Sequence, residues 1–225
     1  MGPEVLNNNT VPSQHMRDGG QDRERTMSLT IRGVLFDLDG VVVAQCLDFA
    51  AIKREIFGST EGFILERIQG LSGAERARAE AILERHETVA ANRCRPLDGI
   101  VPLLSRLENH GLRLGLVTRN SRKSVDLVQS RLRLPFLTIV TREDAPPKPA
   151  PDPILLACRR LGLGTVEALF VGDFEFDMLA GRRAGVRTVL LRNPVQPSSP
   201  NADHMIASLA EIPQLLGLPD QDMPA

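Results

Sequence analysis

Tryptophan and tyrosine are absent from this 225-residue chain, and its aromatic content is eight phenylalanines. That lack excludes a site built on stacking platforms, such as a single-strand nucleic-acid groove or a quaternary-ammonium cage. Binding must run through charge, backbone amides and aliphatic walls. Cysteine is scarce too: Cys46, Cys94 and Cys158 are odd in number, far apart and outside any Cys-x-x-Cys pairing. They read as neither a disulfide framework nor a zinc site, so a reducing, cytoplasmic setting is expected. Cys46 reads as a small apolar filler. Charge of one sign is also missing. The 27 basic and 28 acidic residues leave a formal net charge of −1, which gives no footprint for nucleic acid or an anionic membrane. No run approaches the roughly 18 apolar residues of a membrane span.

Residues 1–28 mix Asn, Gly, Gln and charges without an apolar stretch. They show no signal peptide and are expected to be disordered, because they cannot bury enough apolar surface to offset the entropy of ordering. The composition changes abruptly at Met27, which is expected to lie near the natural start.

From Ile31 onward the pattern is that of a folded chain. The run IRGVLFD is short, β-branched and ends in charged, Gly-containing punctuation, as a buried strand does. Residues 44–95 then carry apolar residues at helical spacing among Glu and Arg. Ser72 with Glu75 fits a capping box, and Gly58 and Gly70 mark helix ends. After Pro96, strands (LRLGLVT, PFLTIVT, EALFVGD, VRTVLL) alternate with helices of ten to fifteen residues. The segment NPVQPSSPNADH reads as loop, and a short helix is expected from Ser208 to Leu216. Such alternation implies right-handed βαβ units and a parallel sheet covered on both faces, an α/β class with a helical insert. The reading divides the chain into a core (29–43 and 96–217), the insert (44–95) and two tails (1–28 and 218–225).

In open parallel sheets, ligands bind beyond the carboxyl ends of the strands. Asp37 and Asp39 follow the first strand, Thr118 ends the second, Lys148 sits in the Pro-rich loop after the third, and Asp173 and Asp177 follow the fourth. Taken singly, each has a dull reading. Asp-x-Asp-Gly is a turn signal, Asp173 a helix N-cap, Asp177 a solvated helix residue and Lys148 a surface lysine. Together they point to chemistry. Two bare carboxylates about 4 Å apart repel by about 4 kcal/mol at an effective dielectric near 20, so the group calls for a hard divalent cation, and Mg2+ is expected. A hydroxyl, an ammonium and turn amides around such a metal suit a phosphoryl group and an aspartate nucleophile.

At these residues the chain resembles the haloacid dehalogenase-like hydrolase superfamily. DLDGVVV at 37–43, VTRN at 117–120, KPAPDP at 148–153 and VGDFEFDMLAGRRAG at 171–185 match its four motifs in order. The resemblance implies a Rossmann-like core with a small all-helical cap between the first two motifs, as in phosphoglycolate phosphatases. It implies a Mg2+-dependent phosphatase acting on a small soluble phosphomonoester. Asp37 would attack phosphorus, and Asp39 would serve as general acid and base. Asp37, the Asp39 backbone carbonyl and Asp173 would hold the metal, with Asp177 supporting. Thr118 and Lys148 would grip the phosphoryl oxygens. A sugar phosphomutase is the alternative, and a non-catalytic phosphate-binding relative a more distant one. The chain departs from the pattern at Val41, where Thr is usual, and at Phe174, where a small polar residue is common. Phe36 and Phe174 lie where a dry wall would form, with Phe174 as an aromatic gate.

Overall fold

The computed structural model describes residues 31–219. The expectations for the segment 1–28, including the start at Met27, lie outside the described residues, as does most of the expected C-terminal tail. Of that tail, Leu218 packs against the core and the Pro219 carbonyl accepts a bond from Arg106 Nη2.

Six parallel strands form one sheet in the order β3-β2-β1-β4-β5-β6. They are β1 (Gly33–Phe36), β2 (Arg113–Val117), β3 (Thr138–Val140), β4 (Ala168–Gly172), β5 (Arg187–Leu191) and β6 (His204–Ile206). Alternate side chains of a strand face opposite sides, so the central strands feed two cores. Val34, Phe36, Leu114, Leu116, Leu169 and Val171 point to one face. There they meet α4 (Ile100–Asn109), α5 (Arg122–Leu132) and the short α8 (Ile212–Leu215). Leu35, Val117, Val140 and Phe170 point to the other, against α6 (Asp152–Leu161) and α7 (Glu175–Ala184). This is the expected parallel α/β architecture. The strand order reverses direction about β1, where the chain goes out to β2 and β3 and then returns to β4. That places the switch-point crevice at the carboxyl ends of β1 and β4.

Between β1 and β2 lie α1 (Phe49–Phe57), α2 (Ile64–Gln69) and α3 (Gly73–Arg93). Leu47, Ile52, Ile64, Ile68, Ala79 and Leu83 give them a small apolar core of their own. The block joins the rest through two adjacent strands of chain. Ala44 N–H donates to the Arg95 carbonyl at 3.0 Å, and Leu97 N–H to the Val42 carbonyl at 3.0 Å. It also docks sideways, since Glu87 on α3 is buried, pairs with Arg142 and accepts the Ser121 N–H at 3.3 Å.

Several local expectations are corrected. Ser72 occupies the cap position of α3, but Gly73 enters in the left-handed region (φ 52°), and no capping bond forms. β6 begins at His204, the last residue of the stretch read as loop, and escapes the sequence pattern because three residues carry too little alternation to mark a strand. The helix expected over Ser208–Leu216 is a 3-10 turn (Leu209–Glu211) followed by the single turn of α8. Cys46 is exposed rather than a core filler, while Cys94 and Cys158 are buried.

Candidate active site

Lys148 is the hub of the carboxyl edge. It is almost fully buried, at 1 % exposure. Its Nζ lies 2.5 Å from Asp37 Oδ1 and 2.6 Å from Asp177 Oδ1, and it donates to the Val117 carbonyl at 2.9 Å. All three ammonium protons are therefore used. Burial works to lower its pKa, but Asp177 and Asp37 outweigh it and raise the value, so the lysine stays charged.

Asp177 stands in the first turn of α7, and its Oδ2 accepts the backbone N–H groups of Asp173 (3.3 Å) and Phe174 (3.1 Å). One carboxylate thus fixes both the lysine and the loop that carries Asp173. The reading of Asp173 as N-cap fails, because Phe174 is at the cap position and the capping carboxylate reaches back from within the helix. Gly172 is required by closeness alone: a Cβ there would sit 2.2 Å from Asp177 Cβ.

Asp173 is held from a side the sequence reading missed. Asn193 Nδ2 donates to its carbonyl at 2.9 Å and to its Oδ2 at 3.2 Å. Asn193 follows β5, and only its place beyond a strand end could have signalled it. Opposite, Gly40 has φ 79°, and a Cβ there would fall 2.1 Å from Asp173 Oδ2.

Asp37, Asp173 and Asp177 bring carboxylate oxygens within 4.8 Å of one another. One ammonium faces three acids. Burial pushes the Asp37 carboxyl up to about 7, opposed by Lys148 and reinforced by Asp177 and Asp39. Burial likewise raises Asp173 to about 8, with Asp37 and Asp177 adding to it. The site is short of positive charge, and its all-oxygen donor set fits a hard divalent cation such as Mg2+. Asp37 and Asp173 suit that role, whereas Asp177 is already committed to Lys148 and two amides.

Asp39 is turned toward β2, where its Oδ2 accepts Asn120 Nδ2 at 2.7 Å. Burial raises its pKa to about 6 against the opposing Asn120 bond. The backbone N–H of Asn120 donates to Thr118 Oγ1 at 3.1 Å, so Asn120 links the two. The structure therefore brings Asp37, Lys148, Asp173 and Asp177 into one cluster and ties Asp39 to Thr118 beside it.

The wall over the site is aromatic, but not as expected. Phe36 is a core residue against Phe136, with ring centroids 6.2 Å apart. Phe174 instead joins a trio: its centroid is 5.4 Å from Phe176 and 6.3 Å from Phe63, and Phe63 is 4.5 Å from Phe176. Phe63 comes from the helical insert and was invisible to a reading of residues near the motifs. Arg119 completes the wall. Its guanidinium lies 4.7 Å from the Phe176 centroid, donates to the Lys148 carbonyl and pairs with Glu66 of α2 at 2.8 and 2.9 Å. The large cleft of about 990 Å³ between α2, α3 and α5 is a separate feature, since none of the four carboxylates lines it.

Known proteins resemble this chain over most of its length. Residues 34–191 match the family model of haloacid dehalogenase-like hydrolases. A haloacid dehalogenase-like hydrolase domain-containing protein of Arabidopsis thaliana is 31 % identical over 205 residues, covering 83 % of this chain and 84 % of that protein. An N-acetylmuramic acid 6-phosphate phosphatase of Pseudomonas aeruginosa is 31 % identical over 191 residues, covering 73 % and 83 %. The crystal structure of a HAD-superfamily hydrolase, subfamily IA, from Geobacter sulfurreducens superposes with a TM-score of 0.62 at 27 % identity, covering 83 % of this chain and all of that one. Matched over most of its length in sequence and in fold, the chain belongs to the haloacid dehalogenase-like hydrolase family.

Proposed function

We propose that the protein is a Mg2+-dependent phosphatase that hydrolyses a small soluble phosphomonoester through an aspartyl-phosphate intermediate. The observation that carries this is the cluster in which Lys148 Nζ spans Asp37 and Asp177 while Asp173 closes the third side. Relatives named as phosphatases support it. Asp37 is the nucleophile: its carboxylate oxygen forms a bond to phosphorus as the ester oxygen leaves. Asp39, oriented by Asn120, gives a proton to the departing alkoxide and then takes one from the water that cleaves the acyl phosphate. Thr118 holds the transferring oxygens, and Lys148, its protons taken by Asp37, Asp177 and the Val117 carbonyl, acts on them as a positive charge that offsets theirs. Mg2+, when bound by Asp37, Asp173 and the Asp39 carbonyl, supplies further positive charge against the phosphoryl group. Asp177 and Asn193 hold these groups in place without touching substrate. Residues 44–95 act as the cap over a core formed by 29–43 and 96–217, and the site of action is cytoplasmic.

The test is phosphate release from an aryl phosphate. Activity with Mg2+ that is lost on chelation and in Asp37→Asn is expected. Full activity in Asp37→Asn, or none in the intact protein with any divalent metal, would overturn the reading.

A further inference from the structure

We propose that Glu66 is a specificity-determining residue that masks Arg119, and that the enzyme therefore favours phosphate esters of neutral alcohols over esters whose alcohol part carries a carboxylate. This rests on the phosphatase reading and extends it to substrate class.

The inference starts from where Arg119 stands. It follows Thr118 at the carboxyl end of β2, its Nη1 donates to the backbone carbonyl of Lys148, and the Nζ of that lysine touches Asp37. Its guanidinium carbon lies over the ring of Phe176, which precedes Asp177, 4.7 Å from the centroid. The guanidinium thus stands at the sheet edge that carries Thr118 and Lys148, where the insert that contributes Phe63 and Glu66 meets it. An arginine so placed, over an aromatic ring and anchored by one nitrogen to a backbone carbonyl, is suited to gripping a carboxylate. Here that grip is taken. Both oxygens of Glu66 contact Nη2, at 2.8 and 2.9 Å.

The neighbouring cations at this edge are committed in the same way. Lys148 is paired with Asp37 and Asp177, and Arg142 with the buried Glu87. A carboxylate on the leaving group would meet Phe63, Phe174, Phe176 and an arginine already neutralised, with Glu66 as a like charge beside it. A neutral polyol meets no such penalty. Glu66 comes from α2 of the insert, so the mask is carried by the element that covers the site.

The pair is exposed enough to be altered without loss of the fold, since the Glu66 side chain is 40 % exposed. Phosphoglycolate, whose alcohol part carries a carboxylate, and glycerol 3-phosphate, whose alcohol part is an uncharged diol, are the probes, with an aryl phosphate as common reference. The intact protein is expected to show the higher kcat/KM on glycerol 3-phosphate. Glu66→Gln should raise the phosphoglycolate to glycerol 3-phosphate ratio by about tenfold, the size expected of removing a screened like charge and freeing its partner. Glu66→Asp should keep a ratio close to that of the intact protein, and adding Arg119→Met to Glu66→Gln should abolish the gain. A preference of the intact protein for phosphoglycolate, an unchanged ratio in Glu66→Gln, or a gain that survives Arg119→Met would overturn the assignment while leaving the phosphatase reading intact. Failure of the intact protein on the aryl phosphate would overturn both.

Discussion

Lys148 and Asp37 are separated by 111 positions in the chain, yet Nζ and Oδ1 lie 2.5 Å apart in a site from which both are nearly hidden. Asp177 lies against the same ammonium, so removing the lysine strands two buried acids. Lys148→Ala is expected to lose phosphate turnover and about 3 kcal/mol of stability, because breaking a buried pair leaves uncompensated charge. Urea unfolding at neutral pH reads the second effect, and an unchanged midpoint would show that the pair is not structurally coupled.

Asp37→Asn should behave differently. Lys148 keeps Asp177 as partner and the substitution is nearly isosteric, so the fold should hold while phosphate release falls by at least about a thousandfold. Near-native circular dichroism with no measurable turnover is the expected pair of results.

Gly40→Ala tests the closeness of Asp173. The left-handed backbone alone costs about 1 kcal/mol for a residue with a Cβ, and the new methyl would meet Asp173 Oδ2 at 2.1 Å. Asp173 must move, and a displacement near 1 Å at a catalytic group costs on the order of a hundredfold in rate. Activity should therefore fall much further than stability. A variant as active as the parent would show that the carboxylate position does not matter.

Asp144 gives a pH-dependent signal away from the site. Burial alone would raise its pKa, but the N–H and hydroxyl of Thr141, with Arg160 and Arg122, bring it down to about 2. A carboxyl lowered in the folded state contributes stability that is complete above its ordinary value near 3.8 and is lost as pH falls toward about 2. Asp144→Asn should cost about 1 kcal/mol at neutral pH, allowing for solvent screening, and the difference from the parent should shrink across that interval. Denaturation curves at several pH values read the trend, and a gap that widens on acidification would contradict it.

Much of the core was legible because its signals are local. The strands beside the site are short apolar runs with a polar residue at the carboxyl end: Asp37 after β1, Thr118 after β2 and Asp173 after β4. Asp37, Thr118 and Asp173 follow from that rule, whereas Asp39, Lys148 and Asp177 needed the matching motifs as well. What escaped depends on contacts between distant segments. Phe63 meets Phe176 only because α2 folds back over the sheet. Asn193 matters only because β5 ends beside β4. Glu66 looks like any helical glutamate until Arg119 is opposite it. The failed capping box at Ser72 is the reverse case, in which a correct local signal was overruled by the left-handed entry at Gly73.

The hydrogen bond between Ala44 and Arg95 puts the two ends of a fifty-residue excursion side by side. The neighbouring strands of the six-stranded sheet can therefore pair whatever the length of chain between those two residues, and the insert has its own apolar centre to hold its helices. Under the proposed function, the bond-breaking groups and most of the cover then fall to separate stretches of chain. The sheet edge can keep its carboxylates and lysine fixed while the excursion between Ala44 and Arg95 is lengthened or shortened.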